Sequence, residues 1–155
     1  MDAVFKKMNL KNQKTVVIRN APESFHENML SIRDETNIVT DGQQQTEIEF
    51  AIIFVTRQTE IDTLVPEIAP LLIGDAILWM CYPKSTSKKY KCDFNRDTGW
   101  KVMGRYELEP VRMVAIDNDW SALRFKKVDF IKSMTRSSRH ALSEKGKIKS
   151  EKNHD

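Results

Sequence analysis

The chain has 155 residues, 40% of them apolar and 30% charged, a balance that suits one soluble globular domain with a tail. No apolar run approaches the roughly 20 residues needed to cross a bilayer, and a formal net charge of +3 is too small to make nucleic-acid binding a property of the whole chain. The opening "MDAVFKKMNLKNQK" has neither an apolar h-region nor a small-residue cleavage site, so the expected location is cytoplasmic.

Val16, Val17 and Ile18 are β-branched and end at Asn20-Ala21-Pro22, which predicts a buried strand and then a helix over "PESFHENML". Pro22 would take the first helical position, where its missing N–H costs nothing, and Glu23 would favour the positive end. "NIVTDGQQQ" reads as a short second strand, an Asp-Gly turn and a polar loop. Phe50 to Val55 are continuously apolar, as in a strand covered on both faces, and should form the centre of the sheet. "TEIDTLVPEIAPLL" places Ile61, Leu64, Val65, Ile68, Leu71 and Leu72 at helical spacing, with Thr59 as cap, Pro66 as a kink or the true start, and Gly74 as the stop.

Ala76 to Tyr82 gives a second central strand that surfaces abruptly in "PKSTSKK". A third helix is predicted from Asp93 as N-cap, carrying Phe94, Val102, Met103 and Tyr106 inward and weakened by Gly99 and Gly104. "VRMVAIDNDWSALRFKKV" is two β-rich runs about Asp117-Asn118-Asp119, a hairpin composition whose last strand should run antiparallel. This order predicts an α/β fold: a single open, mostly parallel, Rossmann-like sheet with helices on both faces, ending in an antiparallel hairpin. It fills residues 1–130. Residues 131–155 are basic and poor in large apolar side chains, and are expected to be a disordered or loosely helical tail.

In such a sheet, ligands bind outside the carboxyl ends of the strands, near the point where strand order reverses. The candidate ligand-binding residues there are Asn20, Arg57, Lys84, Ser85, Ser87 and Asp117. Their cations and hydroxyls could hold a phosphate or carboxylate, although every parallel sheet surfaces polar residues at that edge. Nucleotide and S-adenosylmethionine folds place glycines in the first strand–helix turn. Here the turn reads "RNAPES", without glycine and with a proline that removes an amide, so a dinucleotide site is not expected.

His26, His140 and His154 are the only histidines, and two lie in the tail, so nucleophilic catalysis would have to use His26. Cys81 and Cys92 read as buried thiols kept reduced, and with one histidine they do not make a zinc site. No cofactor is implied. Asp117 and Asp119 could bind Mg²⁺ or act as acid and base, but Asp-Asn-Asp is also what a hairpin turn requires, and the turn reading is preferred. Trp79 reads as core and Trp120 is open between core and site.

The runs "LWMCYPKSTSKKYKCDF" and "VRMVAIDNDWSALRF" resemble a family of short, mostly bacterial proteins classed as a domain of unknown function. Its pattern, W-x-x-[WY]-P-K before a Ser/Thr loop and a later [AI]-x-D-x-x-W-S-[AG]-L-[RK], is matched by Trp79, Tyr82, Pro83, Lys84, Ser87, Asp93, Ala115, Asp117, Trp120, Ser121, Leu123 and Arg124. The likeness spans about Leu10 to Lys127 and implies a Rossmann-like fold without an established activity. Gly99, Trp100 and Gly104 depart from the family's stronger helix formers.

Two function classes follow. The first is a non-catalytic α/β module that binds an anionic small molecule or a protein partner at the carboxyl edge, with Lys84 as the charge and Ser85, Ser87 and Asn20 as donors. The second is a small transferase or hydrolase acting on a phosphorylated or carboxylated metabolite, with Asp117 as base and Lys84 or Arg57 holding developing charge. A third reading is weak, nonspecific nucleic-acid contact through the tail, which lacks interleaved aromatics for base stacking.

Overall fold

The computed structural model describes residues 1–41, 44–94, 98–132, 142–143 and 145–148. Six strands form one sheet in the order β2-β1-β3-β4-β6-β5. They are β1 (Thr15–Arg19), β2 (Asn37–Val39), β3 (Ile48–Phe54), β4 (Leu72–Pro83), β5 (Leu108–Ala115) and β6 (Trp120–Lys127). Strands β1 to β4 pair in parallel, and β6 lies antiparallel between β4 and β5. The expected mostly parallel α/β sheet with an antiparallel hairpin is therefore the observed one. Among the described residues no helix is long and apolar enough to cross a membrane.

The central strands alternate between two cores. Phe50, Ile52 and Phe54 of β3 join Ile77, Trp79 and Cys81 of β4 on one face, under α1 (Ala3–Lys7) and α2 (His26–Ile32). Ala51 and Ile53 join Leu78, Met80 and Tyr82 on the other, under α3 (Gln58–Ile68) and the single turn α4 (Lys101–Gly104). Covering both faces is why these strands read as unbroken apolar runs. Trp79 is core, as expected, and its indole N–H donates to the Met8 carbonyl at 2.9 Å, fastening the N-terminal segment over the sheet.

Several boundaries differ from expectation. Helix α1 was not foreseen; the Asp2 carboxylate caps it, accepting from Val4 N and Phe5 N at 3.0 and 3.1 Å. Pro22 is extended and precedes a 3₁₀ turn, Glu23–Phe25, so the first crossover helix starts later than the proline. Thr59 is not the cap of α3, which starts at Gln58 and keeps Pro66 inside. Gly74 does not stop that helix. The chain leaves α3 through the turn Ala69–Leu71, and Gly74 sits within β4 at φ +55°, where pairing jumps from Ile48↔Leu72 to Phe50↔Ile77. A bulge with a left-handed residue is a glycine position.

The third helix shrinks to α4. A Cβ on Gly99 would come within 2.7 Å of the Phe94 ring, so the two pack through close backbone approach, with the Phe94 ring tilted against Tyr82 and edge-to-face with Trp100.

Part of the stretch after Phe130 packs against the sheet where it is described. Glu109 of β5 is fully buried, and its carboxylate accepts from Leu142 N at 2.8 Å, Ser143 N at 2.7 Å and Ser143 Oγ at 2.8 Å. A Cβ on Gly104 would strike the Leu142 carbonyl, and one on Gly146 would strike the Glu109 carboxylate. Leu142 packs on the core beneath α3 and α4. Composition marks these residues as polar and loose; a buried carboxylate in a distant strand supplies the reason to order them. The rest of the tail after Lys132, including His140 and His154, lies outside the described residues, as do Gly42 and Gln43 of the polar loop.

Candidate functional site

Strand order reverses between β1, whose crossover leads to β2, and β3, whose crossover leads the other way to β4. Asn20 stands at this point at φ +58°. Its backbone N–H donates to Asp41 Oδ1 at 3.1 Å, and its side-chain amide reaches across to the Phe54 carbonyl at 3.3 Å. Asn tolerates the left-handed conformation because its short polar side chain can bond locally.

At the end of β3 the Glu60 carboxylate turns back to accept from Thr56 N at 2.8 Å and Arg57 N at 3.0 Å. Asp93 serves the same helix rather than the third one. It comes from the loop after β4 and accepts from Gln58 N at 2.7 Å, while its own N–H donates to Thr56 O at 3.2 Å. Each is a carboxylate at a helix N-terminus, where the unpaired amides and the dipole favour negative charge.

The loop opened by Pro83 is pinned to the hairpin. Lys84 N donates to the Asp119 carbonyl at 2.8 Å, and Ser87 Oγ donates to Asp119 Oδ1 at 2.8 Å while accepting from Tyr90 N at 3.1 Å. Ser87 is buried, so its hydroxyl belongs to the loop's own framework and is not presented to a ligand. Asp117 Oδ1 accepts from Asp119 N and Trp120 N, both at 2.8 Å, the turn role that the Asp-Asn-Asp composition allowed. Trp120 is buried against Phe54 and Tyr90 and belongs to the core.

The topology thus brings all six sequence candidates to the carboxyl edge, but they divide in kind. Asn20, Ser87 and Asp117 hold the edge together. Arg57 and Ser85 are exposed, and the Lys84 ammonium and the Ser85 hydroxyl have no partner among the described residues. Lys88 and Lys89 extend this outward-facing charge. Glu60 and Asp93 were missed as organisers of the edge. Their spacing carries no motif, except that Glu60 follows Arg57 by the three residues of a helix cap.

His26 is exposed at the start of α2. Cys81 is fully buried, which pushes its thiol well above the usual range, whereas Cys92, expected to be buried too, lies in the loop after β4, is only half-buried and donates to the Phe94 carbonyl at 3.0 Å. No group of three or more metal-ligating side chains occurs among the described residues. A polar cleft of about 480 Å³ opens at the opposite, amino edge, between Asn12, Lys14, Gln45, Glu47 and Ile73.

No family model and no curated protein matches the chain. Among solved structures it is similar in fold to a SAM-dependent methyltransferase from Aquifex aeolicus, with 11% identity over 79% of this chain and 87% of that one and a TM-score of 0.53. Magnesium protoporphyrin IX methyltransferase from Synechocystis PCC 6803, solved with bound SAM, is similar at 11% identity over 80% and 74%, with a TM-score of 0.51. These likenesses establish the Rossmann-like scaffold.

Proposed function

We propose that the chain is a non-catalytic α/β binding module that takes an acidic segment of a protein partner on the carboxyl edge of its sheet. Arg57, Lys84, Lys88 and Lys89 supply the charge and Ser85 a hydrogen bond. One observation carries this reading: at that edge carboxylates of the chain itself accept from the amides of Asn20, Thr56, Arg57, Gln58, Asp119 and Trp120, while the basic Arg57, Lys88 and Lys89 are exposed. A small anion in such folds is gripped by backbone N–H groups. Here Asp41, Glu60, Asp93 and Asp117 fill those places, and what remains is a side-chain surface suited to electrostatic recognition.

S-adenosylmethionine, carried by the Synechocystis neighbour, does not fit the turn after β1. That turn has no glycine, Pro22 lacks an N–H, Asn20 N is held by Asp41, and the Asn20 side chain bridges to β3. A transferase or hydrolase using Asp117 as base draws less support, because that carboxylate holds two backbone amides at an exposed hairpin tip.

The test is fluorescence anisotropy with a labelled glutamate-rich peptide. Wild type should bind saturably and more weakly as salt rises, and Lys84→Glu/Lys88→Glu should lose about tenfold in affinity, equivalent to ~1.4 kcal/mol. Equal binding by the double variant would contradict the reading. So would S-adenosylmethionine raising the melting midpoint of wild type but not of Lys84→Ala.

A further inference from the structure

The hairpin sets two arginines against each other. Arg112 of β5 is directly opposite Arg124 of β6, and Arg124 is in turn opposite Trp79 of β4, so the three side chains stand abreast on the face that α1 and α2 cover. Like charges in this relation are destabilising. Arg124 adds a second cost: its Nε is shielded from solvent and has no hydrogen-bond partner among the described residues. Burial lowers its pKa, Asp75 partly offsets that, and Arg112 lowers it further. Lys126 projects to the same face two residues along β6 and engages the Asp75 carboxylate at 3.3 Å. Among the described residues no ion pair holds either arginine.

We propose that Arg112 and Arg124, flanked by Lys126, form a binding site for the tetrahedral oxyanion of a phosphorylated small molecule. An oxyanion between the two guanidinium groups would turn their repulsion into shared attraction and give the orphaned Nε an acceptor. The planar fork of arginine suits this, since it donates two parallel N–H groups to one phosphate. The site is independent of the carboxyl edge. Trp120 marks that edge by pairing with Pro83, and Arg124 lies further down the strand, toward the other end of the sheet. The partner-binding reading gives Arg124 no role.

Inorganic phosphate and sulfate, compared with chloride at matched ionic strength in thermal unfolding, provide the test. In wild type, phosphate at ten times its dissociation constant should raise the midpoint by about 3–6 °C. Arg112→Gln, an exposed substitution, should raise the midpoint without phosphate, because the opposed charge is gone, and should abolish the phosphate increment. Lys84→Ala should keep the increment in full, which separates this site from the carboxyl edge. The proposal is overturned if phosphate does no more than chloride in wild type, or if Arg112→Gln retains the increment.

Discussion

Ser87 Oγ donates to Asp119 Oδ1 at 2.8 Å, joining the loop after β4 to the hairpin between β5 and β6 across the carboxyl edge. Asp119 takes a second bond from that loop through its carbonyl, which accepts Lys84 N. The basic loop is therefore displayed on a fixed base. Ser87→Ala should leave the Asp119 oxygen and Tyr90 N without their partner and cost about 1–3 kcal/mol. Thermal unfolding should show a midpoint roughly 3–10 °C lower, and an unchanged midpoint would mean that the loop is not held this way.

Asn20 combines a left-handed backbone with a side-chain bridge to β3. Asn20→Gly keeps the conformation and loses the bridge, whereas Asn20→Ala loses both. Denaturant unfolding should rank wild type above Gly and Gly above Ala, with the left-handed strain adding about 1 kcal/mol to the alanine variant. Alanine proving as stable as glycine would remove the conformational argument.

The docked segment after Leu142 makes Gly104 sensitive. In the full chain Gly104→Ala should destabilise by about 1–3 kcal/mol, because its Cβ meets the Leu142 carbonyl. In a chain ending at Lys132 the same change should be neutral or slightly stabilising, since alanine is the better helix former by about 1 kcal/mol. A double-mutant cycle on the two changes measures this coupling. Equal effects in both chains would mean that residues 142–148 do not dock.

Thiol labelling reads the packing of β4. Cys81 is fully buried with its thiol pushed up, and Cys92 is half-exposed. Iodoacetamide at neutral pH should modify Cys92 in the native protein and both cysteines only after unfolding, as counted by intact mass. Fast native labelling of Cys81 would contradict a closed core around Trp79.

The unbroken apolar runs at Phe50–Val55 and Ala76–Tyr82 made the parallel centre of the sheet legible, since strands covered on both faces show no alternation. Asp117-Asn118-Asp119 likewise marked the hairpin, through a side chain that caps its own turn. What could not be read is long-range. Asp93 looked like the start of a helix because Asp favours caps, and it does cap one, but α3 rather than the next. Glu109 gave no sign of being buried, because its donors lie 33 and 34 residues away in a stretch that composition marks as tail. At the edge, the order of strands placed the six candidates together, but not which of them spend their polar atoms holding one another.

At the carboxyl edge the chain's own carboxylates accept from the amides of Asn20, Thr56, Arg57 and Gln58, and Arg57, Lys88 and Lys89 are exposed. Amide chemical-shift mapping of ¹⁵N-labelled protein, titrated first with S-adenosylmethionine and then with a glutamate-rich peptide, tests this most directly. No saturable shift is expected at Asn20, Thr56, Arg57 or Gln58 with S-adenosylmethionine, and peptide-induced shifts should centre on Lys84 to Lys89. Saturable shifts at Asn20 and Gln58 with S-adenosylmethionine, with the Lys84 loop unmoved by peptide, would contradict the partner-binding reading.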